Sequence, residues 1–287
     1  MSPTTNAGTA LPGTRKQERF PVQNVAVKVV VTPLLIGGAS LAGRRWGHQV
    51  GGWLVALPLT SGPVAFFLAT DHGTAFAGHA AIGMLAGTIS QLAFALAYRA
   101  LAHRGISAAF TAGCVAFAAA TTVLACLNWP AISTFLLVLA ALVAGFALTR
   151  RTGRTTDEPV EAANPPGWDL PLRMIVATGV VMGIIALAPV IGPHLAGLLS
   201  PFPVFGVVMA VFTHHTHGPN AAIAVLDGLV MGLAAPAVFF LALALALPSL
   251  GFMAFAVAAL AALATQAGTM FAIPADNTGA TAEPDRA

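Results

Sequence analysis

Uncharged apolar runs of about twenty residues recur along almost the whole chain. The hydrocarbon core of a bilayer is about 30 Å thick and needs roughly 20 apolar residues per helix, so each run is long enough to cross it. Only 8% of the residues are charged and the mean hydropathy is +0.83, whereas a soluble domain carries charge on about a quarter of its residues. The sequence therefore predicts an all-α fold, a polytopic transmembrane helical bundle.

The apolar runs divide the chain into two membrane segments with polar ends. Residues 1–23 and 274–287 are polar and are expected to be disordered tails, without a signal peptide. Residues 24–127 and 171–273 form the two membrane segments, and residues 128–170 hold a linking helix and the only long polar loop. Nine spans are expected near residues 24–43, 49–69, 75–99, 107–127, 130–149, 171–189, 194–213, 221–247 and 250–272.

The two membrane segments align without a gap when the sequence is shifted by 145 residues. Coincidences of Ala or Leu mean little in so apolar a chain, but proline, histidine and spaced glycines in one register indicate an internal repeat. The informative pairs are Gly47 and Gly192, Pro58 and Pro203, His72-Gly73 and His217-Gly218, Gly83 and Gly228, and Gly87 and Gly232.

Each repeat is expected to contain four spans, and the linking helix adds a fifth crossing between equivalent points. An odd number of crossings turns the second repeat upside down, which is typical of secondary transporters. Arginines in the predicted loops occupy alternate loops, which places the amino terminus outside and the carboxyl terminus inside. The basic residues of the amino-terminal tail favour the opposite orientation, a conflict that a re-entrant first span would remove.

A proline interrupts the second span of each repeat. It removes a backbone donor where lipid offers no substitute, so the helix is expected to be kinked or broken. Paired breaks are the best sequence indication of a transporter site, because freed backbone groups can contact a solute. The alternative is a packing kink whose missing bonds are satisfied by Ser and Thr. The candidate solute pathway consists of Pro58, Thr60, Ser61, Pro203 and Gly206.

Two ionisable residues inside predicted spans are further candidates for the solute or ion pathway. Asp227 is the acidic residue well inside a span, and a carboxylate there should face the bundle interior or water and could exchange a proton. The alternative is a structural carboxylate that is hydrogen-bonded to a neighbouring helix. His79 lies about one turn from the register position of Asp227, so the two could pair. A packing hydrogen bond between helices is the other reading of His79.

Histidines close to the span ends are candidates for a gate or proton relay, namely His72, His214, His215 and His217. They could equally be solvated, and no metal site is expected because no Cys or Glu adjoins them. Gln91, opposite Pro236 in the register, is a candidate polar lining residue. The spaced glycines indicate close helix packing inside the bundle more than a dimer face. Neither a catalytic motif nor a cofactor motif is present, so the chain is expected not to be an enzyme and to bind no cofactor.

One segment resembles a known family. The stretch Leu195-Ala-Gly-Leu-Leu-Ser-Pro-Phe-Pro-Val-Phe-Gly, preceded by Arg173 at the head of its span, is similar to the small four-helix GlpM-type proteins of the bacterial inner membrane. The first repeat keeps Gly52, Leu54 and Pro58 in a weaker version of the segment, in which Leu57 replaces Phe202 and Thr60 replaces Phe205. The resemblance implies two such units fused through a connecting helix. GlpM-type proteins are linked only loosely to glycerol metabolism and exopolysaccharide production. The resemblance therefore implies no site residues.

These patterns together favour a secondary transporter or exporter of a small solute in the bacterial cytoplasmic (inner) membrane. The alternative is a non-transporting scaffold or regulator of envelope or exopolysaccharide synthesis, and an intramembrane enzyme is the weakest third hypothesis. Expected partners are the lipid bilayer and a small solute or proton. Nucleic acid is not expected because the basic residues form no dense face. The sequence leaves monomer and oligomer open.

Overall fold

The computed structural model describes Trp53 and residues 56–58, 60–127, 129–152 and 168–270, and these residues form helices joined by short turns. The two predicted tails, the first predicted span and most of the polar loop lie outside the described residues. The helices are α1 Ser61–His72, α2 Thr74–Leu101, α3 Ile106–Ala125, α4 Ala131–Thr152, α5 Asp169–Leu199, α6 Val204–Gly232, α7 Ala234–Leu250 and α8 Met253–Met270.

Several of the predicted spans coincide with a helix, whereas the predicted span 221–247 is divided between α6 and α7 at Leu233. The predicted span at 107–127 is α3, the linking helix at 130–149 is α4, and the last span at 250–272 is α8. A helical fold is thereby confirmed for the described residues. Five stretches are long and apolar enough to cross a membrane, judged by length and composition: Thr74–Arg104, Ile106–Ala125, Ala131–Arg151, Met182–Leu199 and Val204–Leu250.

Helix α2 is the centre of the molecule. It packs against α3, α5, α7 and α4, and its side chains Met84, Leu85, Phe94 and Tyr98 are fully buried. The outer helices α3, α4 and α8 instead leave large apolar side chains exposed on one face. This arrangement is that of a buried central helix surrounded by helices with an apolar exterior.

The helices are interrupted at both prolines that the sequence singled out. Residues 56–58 are not helical and α1 begins only at Ser61, while residues 200–203 separate the end of α5 from the start of α6. Proline at these positions cannot continue the backbone hydrogen-bond ladder. The described residues next to both prolines are therefore not helical, as the prediction of a break at each proline requires.

A second pair of breaks lies at Gly73 and Gly218, which are also related by the 145-residue shift. Gly73 has φ 90° and ψ 164°, and Gly218 has φ 84° and ψ −179°. This backbone region is essentially restricted to glycine because a Cβ atom would clash there. A short helix that starts at the proline break therefore ends at a glycine in both repeats, and the chain then changes direction.

Candidate functional site

A small cavity lies where the two proline breaks meet. Pro58 and Pro203 both line it, as do the first residues of α1 and α6. The volume of the cavity is about 20 Å³, measured as the space open to the centre of a water-sized sphere. One water molecule needs about 10–15 Å³ by the same measure, so the cavity has room for a water molecule or an ion of similar size.

The lining of the cavity is symmetric in sequence. Twelve of its thirteen lining residues form six pairs that are each 145 residues apart, and the counterpart of the thirteenth, Val204, lies outside the described residues. The cavity therefore lies between two segments that are equivalent in the 145-residue register. The pairs are Ala56 and Pro201, Leu57 and Phe202, Pro58 and Pro203, Thr60 and Phe205, Ser61 and Gly206, and Gln91 and Pro236.

Three buried polar side chains face this space. Gln91 is 7% exposed, Thr60 is 8% exposed and Ser61 is 4% exposed, and all three line the cavity. None of them makes a side-chain hydrogen bond to any residue that the structure describes. Because no described residue accepts or donates a hydrogen bond to them, these three groups are available to a polar molecule in the cavity.

The backbone adds donors at the same place. Within the described residues, the N–H groups of Ser61, Phe205 and Gly206 make no backbone hydrogen bond, because each belongs to the first turn of a helix. The neighbouring Val207 N–H donates to Pro203 O at 2.7 Å and is satisfied. Helices α1 and α6 therefore both begin at the cavity, with free donors in their first turns.

One wall of the cavity is aromatic. The ring of Phe202, between the two prolines of the second break, packs edge-on against Phe117 with 5.1 Å between centroids and against Phe94 with 6.1 Å. Phe94 also fills the space beside Gly113 on α3. The second break is thus held by packed rings on one side and opens onto the polar groups on the other.

Glycine contacts repeat the same symmetry outside the cavity. A Cβ atom added to Gly87 would meet the carbonyl oxygen of Leu198 and the ring of Pro201. One added to Gly232 would meet the carbonyl oxygen of Trp53 and the Cβ atom of Ala56. The residues in the second contact are those of the first shifted by 145 positions. The two close contacts are therefore equivalent in the 145-residue register.

The spaced glycines of α2 serve this packing. Gly83 lies directly against Gly197, and a Cβ atom on either one would collide with the backbone of the other helix. Small residues allow such close approach of two helices. The prediction that Gly83 and Gly87 pack inside the bundle is confirmed for these two positions.

Asp227 lies away from the cavity, in an ion pair. Its Oδ1 atom is 2.8 Å from Nε of Arg99, and Arg99 also donates from Nη2 to the carbonyl oxygen of Thr149 at 3.2 Å. Arg99 is 11% exposed and Asp227 is 24% exposed. This cluster joins α2, α4 and α6, so the second reading of Asp227, a carboxylate bound to a neighbouring helix, describes its contacts.

A neighbouring buried contact involves one of the predicted gate residues. The hydroxyl oxygen of Tyr98 lies 3.1 Å from Nδ1 of His214, within hydrogen-bond distance, and Tyr98 is fully buried. Tyr98 and Arg99 are consecutive on α2, so both polar contacts to α6 come from one turn of α2. Neither residue was singled out from the sequence, although Tyr98 is the only tyrosine in the chain.

The other predicted histidines do not join these clusters. His79 is exposed and its Nδ1 donates to Ala75 O at 2.9 Å within its own helix, so it does not pair with Asp227. His72 packs against the ring of Phe76, His215 is exposed, and His217 bonds Thr216 Oγ1 at 2.7 Å. Among the described residues, no three His, Cys, Asp or Glu side chains are grouped as a metal site requires.

The comparisons with known proteins returned no family model, no curated protein and no solved structure that matches the chain. The resemblance to the GlpM-type proteins therefore stays a prediction from the sequence.

Proposed function

We propose that this chain is a multi-pass protein of the bacterial inner membrane and a secondary transporter of a small solute, which crosses at the cavity between the proline breaks. The observation that carries the proposal is the lining of that cavity by register pairs from the two repeats. Transporters built from repeats bind their solute between the repeats, at discontinuous helices. Pro58, Thr60, Ser61, Pro203 and Gly206 form this pathway.

A bilayer environment is supported by the apolar exterior. Val115 and Val123 on α3 and Val143 on α4 each leave more than 60% of their surface exposed. Large apolar surfaces of this kind are unusual for a protein in water and are expected where helices face lipid. Five stretches have the length and composition to cross a membrane.

An inverted arrangement of the repeats is supported by the directions of α1 and α6. Helix α1 leads from the cavity to Gly73, which adjoins the amino-terminal end of α2. The first part of α6 leads from the cavity to His214, which contacts Tyr98 near the carboxyl-terminal end of α2. These equivalent helices thus leave the cavity in opposite directions along α2, as inverted repeats require.

The alternative function, a non-transporting scaffold, is less well supported. A scaffold has no need for buried polar groups around an internal space, and such groups cost stability when they lack partners. Gln91, Thr60 and Ser61 are polar groups of this kind, and no described residue forms a side-chain hydrogen bond with them at the cavity. Transport accounts for them because a solute supplies the missing hydrogen bonds during its passage.

Cysteine accessibility tests this proposal without knowledge of the solute. Cys114 and Cys126 are first replaced by alanine, and Ser61→Cys is then introduced in vesicles of defined orientation. We expect a membrane-impermeant maleimide to label Ser61→Cys from both sides, because a transport site opens alternately to each side. Thr88→Cys is the matched control, since Thr88 is fully buried on α2 outside the cavity. Labelling from one side alone, or labelling as slow as that of the control, would contradict transport.

A further inference from the structure

We infer that the cavity binds a small monovalent inorganic anion, of about the size of chloride or smaller. This inference rests on the proposed function, because it names the class of solute for the same site. It follows from the donors that surround the cavity, from the absence of charged side chains among its described lining residues, and from its size.

Two helices of sufficient length begin at the cavity. Helix α1 has 12 residues, and α6 runs without interruption from Val204 to the break at Gly218. The amino terminus of a helix carries a partial positive charge of about half an elementary charge. Because α1 and α6 leave the cavity in opposite directions, their positive ends face each other across it. Such a site favours a negative charge over a neutral solute.

The side chains provide an independent indication of a ligand. Gln91 is more than nine-tenths buried, lines the cavity and makes no hydrogen bond to any described residue. Its amide group, the hydroxyl groups of Thr60 and Ser61, and the free N–H groups of the two first turns can all donate hydrogen bonds. A ligand that only accepts hydrogen bonds would satisfy all of these groups at once. An anion is such a ligand.

The size of the cavity and the charges of its lining residues restrict which anions can bind. Room for little more than one water molecule excludes organic anions in this conformation. No Lys, Arg or His side chain is among the described residues that line it. A divalent anion would need such a compensating positive charge to leave water, whereas a monovalent anion is balanced by two half charges. A cation is disfavoured because the same donors would repel it.

Anion binding to the purified full-length chain tests the inference. The thermal-unfolding midpoint is measured in sodium fluoride, chloride or nitrate against sodium gluconate at equal ionic strength, and chloride binding is measured by titration calorimetry. We expect at least one small anion to raise the midpoint, since a ligand that binds only the folded state stabilises it. Replacement of sodium by choline should change nothing.

Two variants make the test specific to the cavity. Gln91→Leu removes a donor at similar volume and should weaken anion binding about tenfold, the scale of one hydrogen bond to a charged group. Thr88→Val removes a buried hydroxyl of the same helix outside the cavity and should bind the anion as the natural chain does. Equal binding by Gln91→Leu, stabilisation that follows the cation, or no binding of any of the three anions would overturn the inference.

The outcome also separates this inference from the proposed function. If Ser61→Cys is labelled from both sides but no anion binds, the pathway stands and its solute is of another class. If an anion binds but labelling comes from one side alone, the anion site stands and transport fails.

Discussion

Nε of Arg99 lies 2.8 Å from Oδ1 of Asp227, and this ion pair joins the end of the central helix α2 to α6. The 145-residue shift places Ala244 opposite Arg99 and Ile82 opposite Asp227. Neither equivalent position holds a charged residue, so the ion pair between Arg99 and Asp227 has no counterpart in the 145-residue register. Because it lies outside the cavity lining, its loss is expected to affect the packing of α2 and α6 first.

Asp227→Asn is expected to destabilise the protein by roughly 2–3 kcal/mol, below the roughly 3–5 kcal/mol of a fully buried pair because Asp227 keeps part of its surface exposed. The loss arises because the substitution removes the carboxylate that pairs with the mostly buried guanidinium group of Arg99. Thermal unfolding in detergent measures the effect. The double variant Arg99→Met with Asp227→Leu should regain most of the loss. If Asp227→Asn unfolds like the natural chain and a pH-dependent flux disappears, Asp227 instead carries a proton during transport.

The hydrogen bond between Tyr98 and His214 is expected to contribute about 1 kcal/mol to stability, the usual net value for a buried neutral bond. Tyr98→Phe removes the hydroxyl group and leaves the ring, which is fully buried, in place. A double-mutant cycle of Tyr98→Phe and His214→Leu, measured by unfolding, isolates the pair. A coupling energy near zero would show that the contact at 3.1 Å does not stabilise the fold.

The sequence anticipated the helices and the paired breaks for physical reasons that hold in both repeats. Apolar runs of bilayer length become helices. In two of these runs a proline at an equivalent position, Pro58 or Pro203, prevents a continuous helix. Pro58 and Pro203 are equivalent in the 145-residue register, as are Gln91 and Pro236, and all four residues line one cavity. The sequence therefore named residues that line one cavity, and their role in a solute pathway stays a prediction.

The asymmetric part of the site was not readable. The apolar run ends at Arg99, so the sequence places this residue among the loop arginines, whereas α2 continues to Leu101 and carries Arg99 against α6. His79 was placed in the interior, whereas it lies on the exposed side of α2. The residues around it, such as Ala77, Ala80 and Ala81, are equally apolar on every side, so the buried face of this helix has no periodic signal.

Gly87→Ala and Gly232→Ala are expected to destabilise the protein to a similar extent, by roughly 1–3 kcal/mol for overpacking. In each case the new methyl group meets a carbonyl oxygen of the other repeat, Leu198 O for Gly87 and Trp53 O for Gly232. Backbone atoms cannot move aside as a flexible side chain can. Unfolding measurements on both variants therefore test whether the reciprocal contact holds the repeats together.

Gly78→Ala is the matched control for this pair of variants. Gly78 also lies within α2 and is buried, but a Cβ atom there would meet no atom of the described residues within 4 Å. Alanine is favoured over glycine inside a helix by about 1 kcal/mol, so Gly78→Ala should be neutral or stabilising. A loss of stability in the control equal to that of Gly87→Ala would remove the close contact as the explanation.

Gly73→Ala and Gly218→Ala should each cost roughly 1–3 kcal/mol, because an L-residue is strained in this backbone region. The helical Gly268 on α8, which has open space around it, provides the control Gly268→Ala, expected to be neutral or stabilising. Relief of the strain would straighten the chain at the end of α1 or of the first part of α6, whose other ends form the cavity. Both variants should therefore weaken chloride binding as well as stability. Normal binding with reduced stability would show that the two kinks hold the fold without setting the position of the half-helix ends at the cavity.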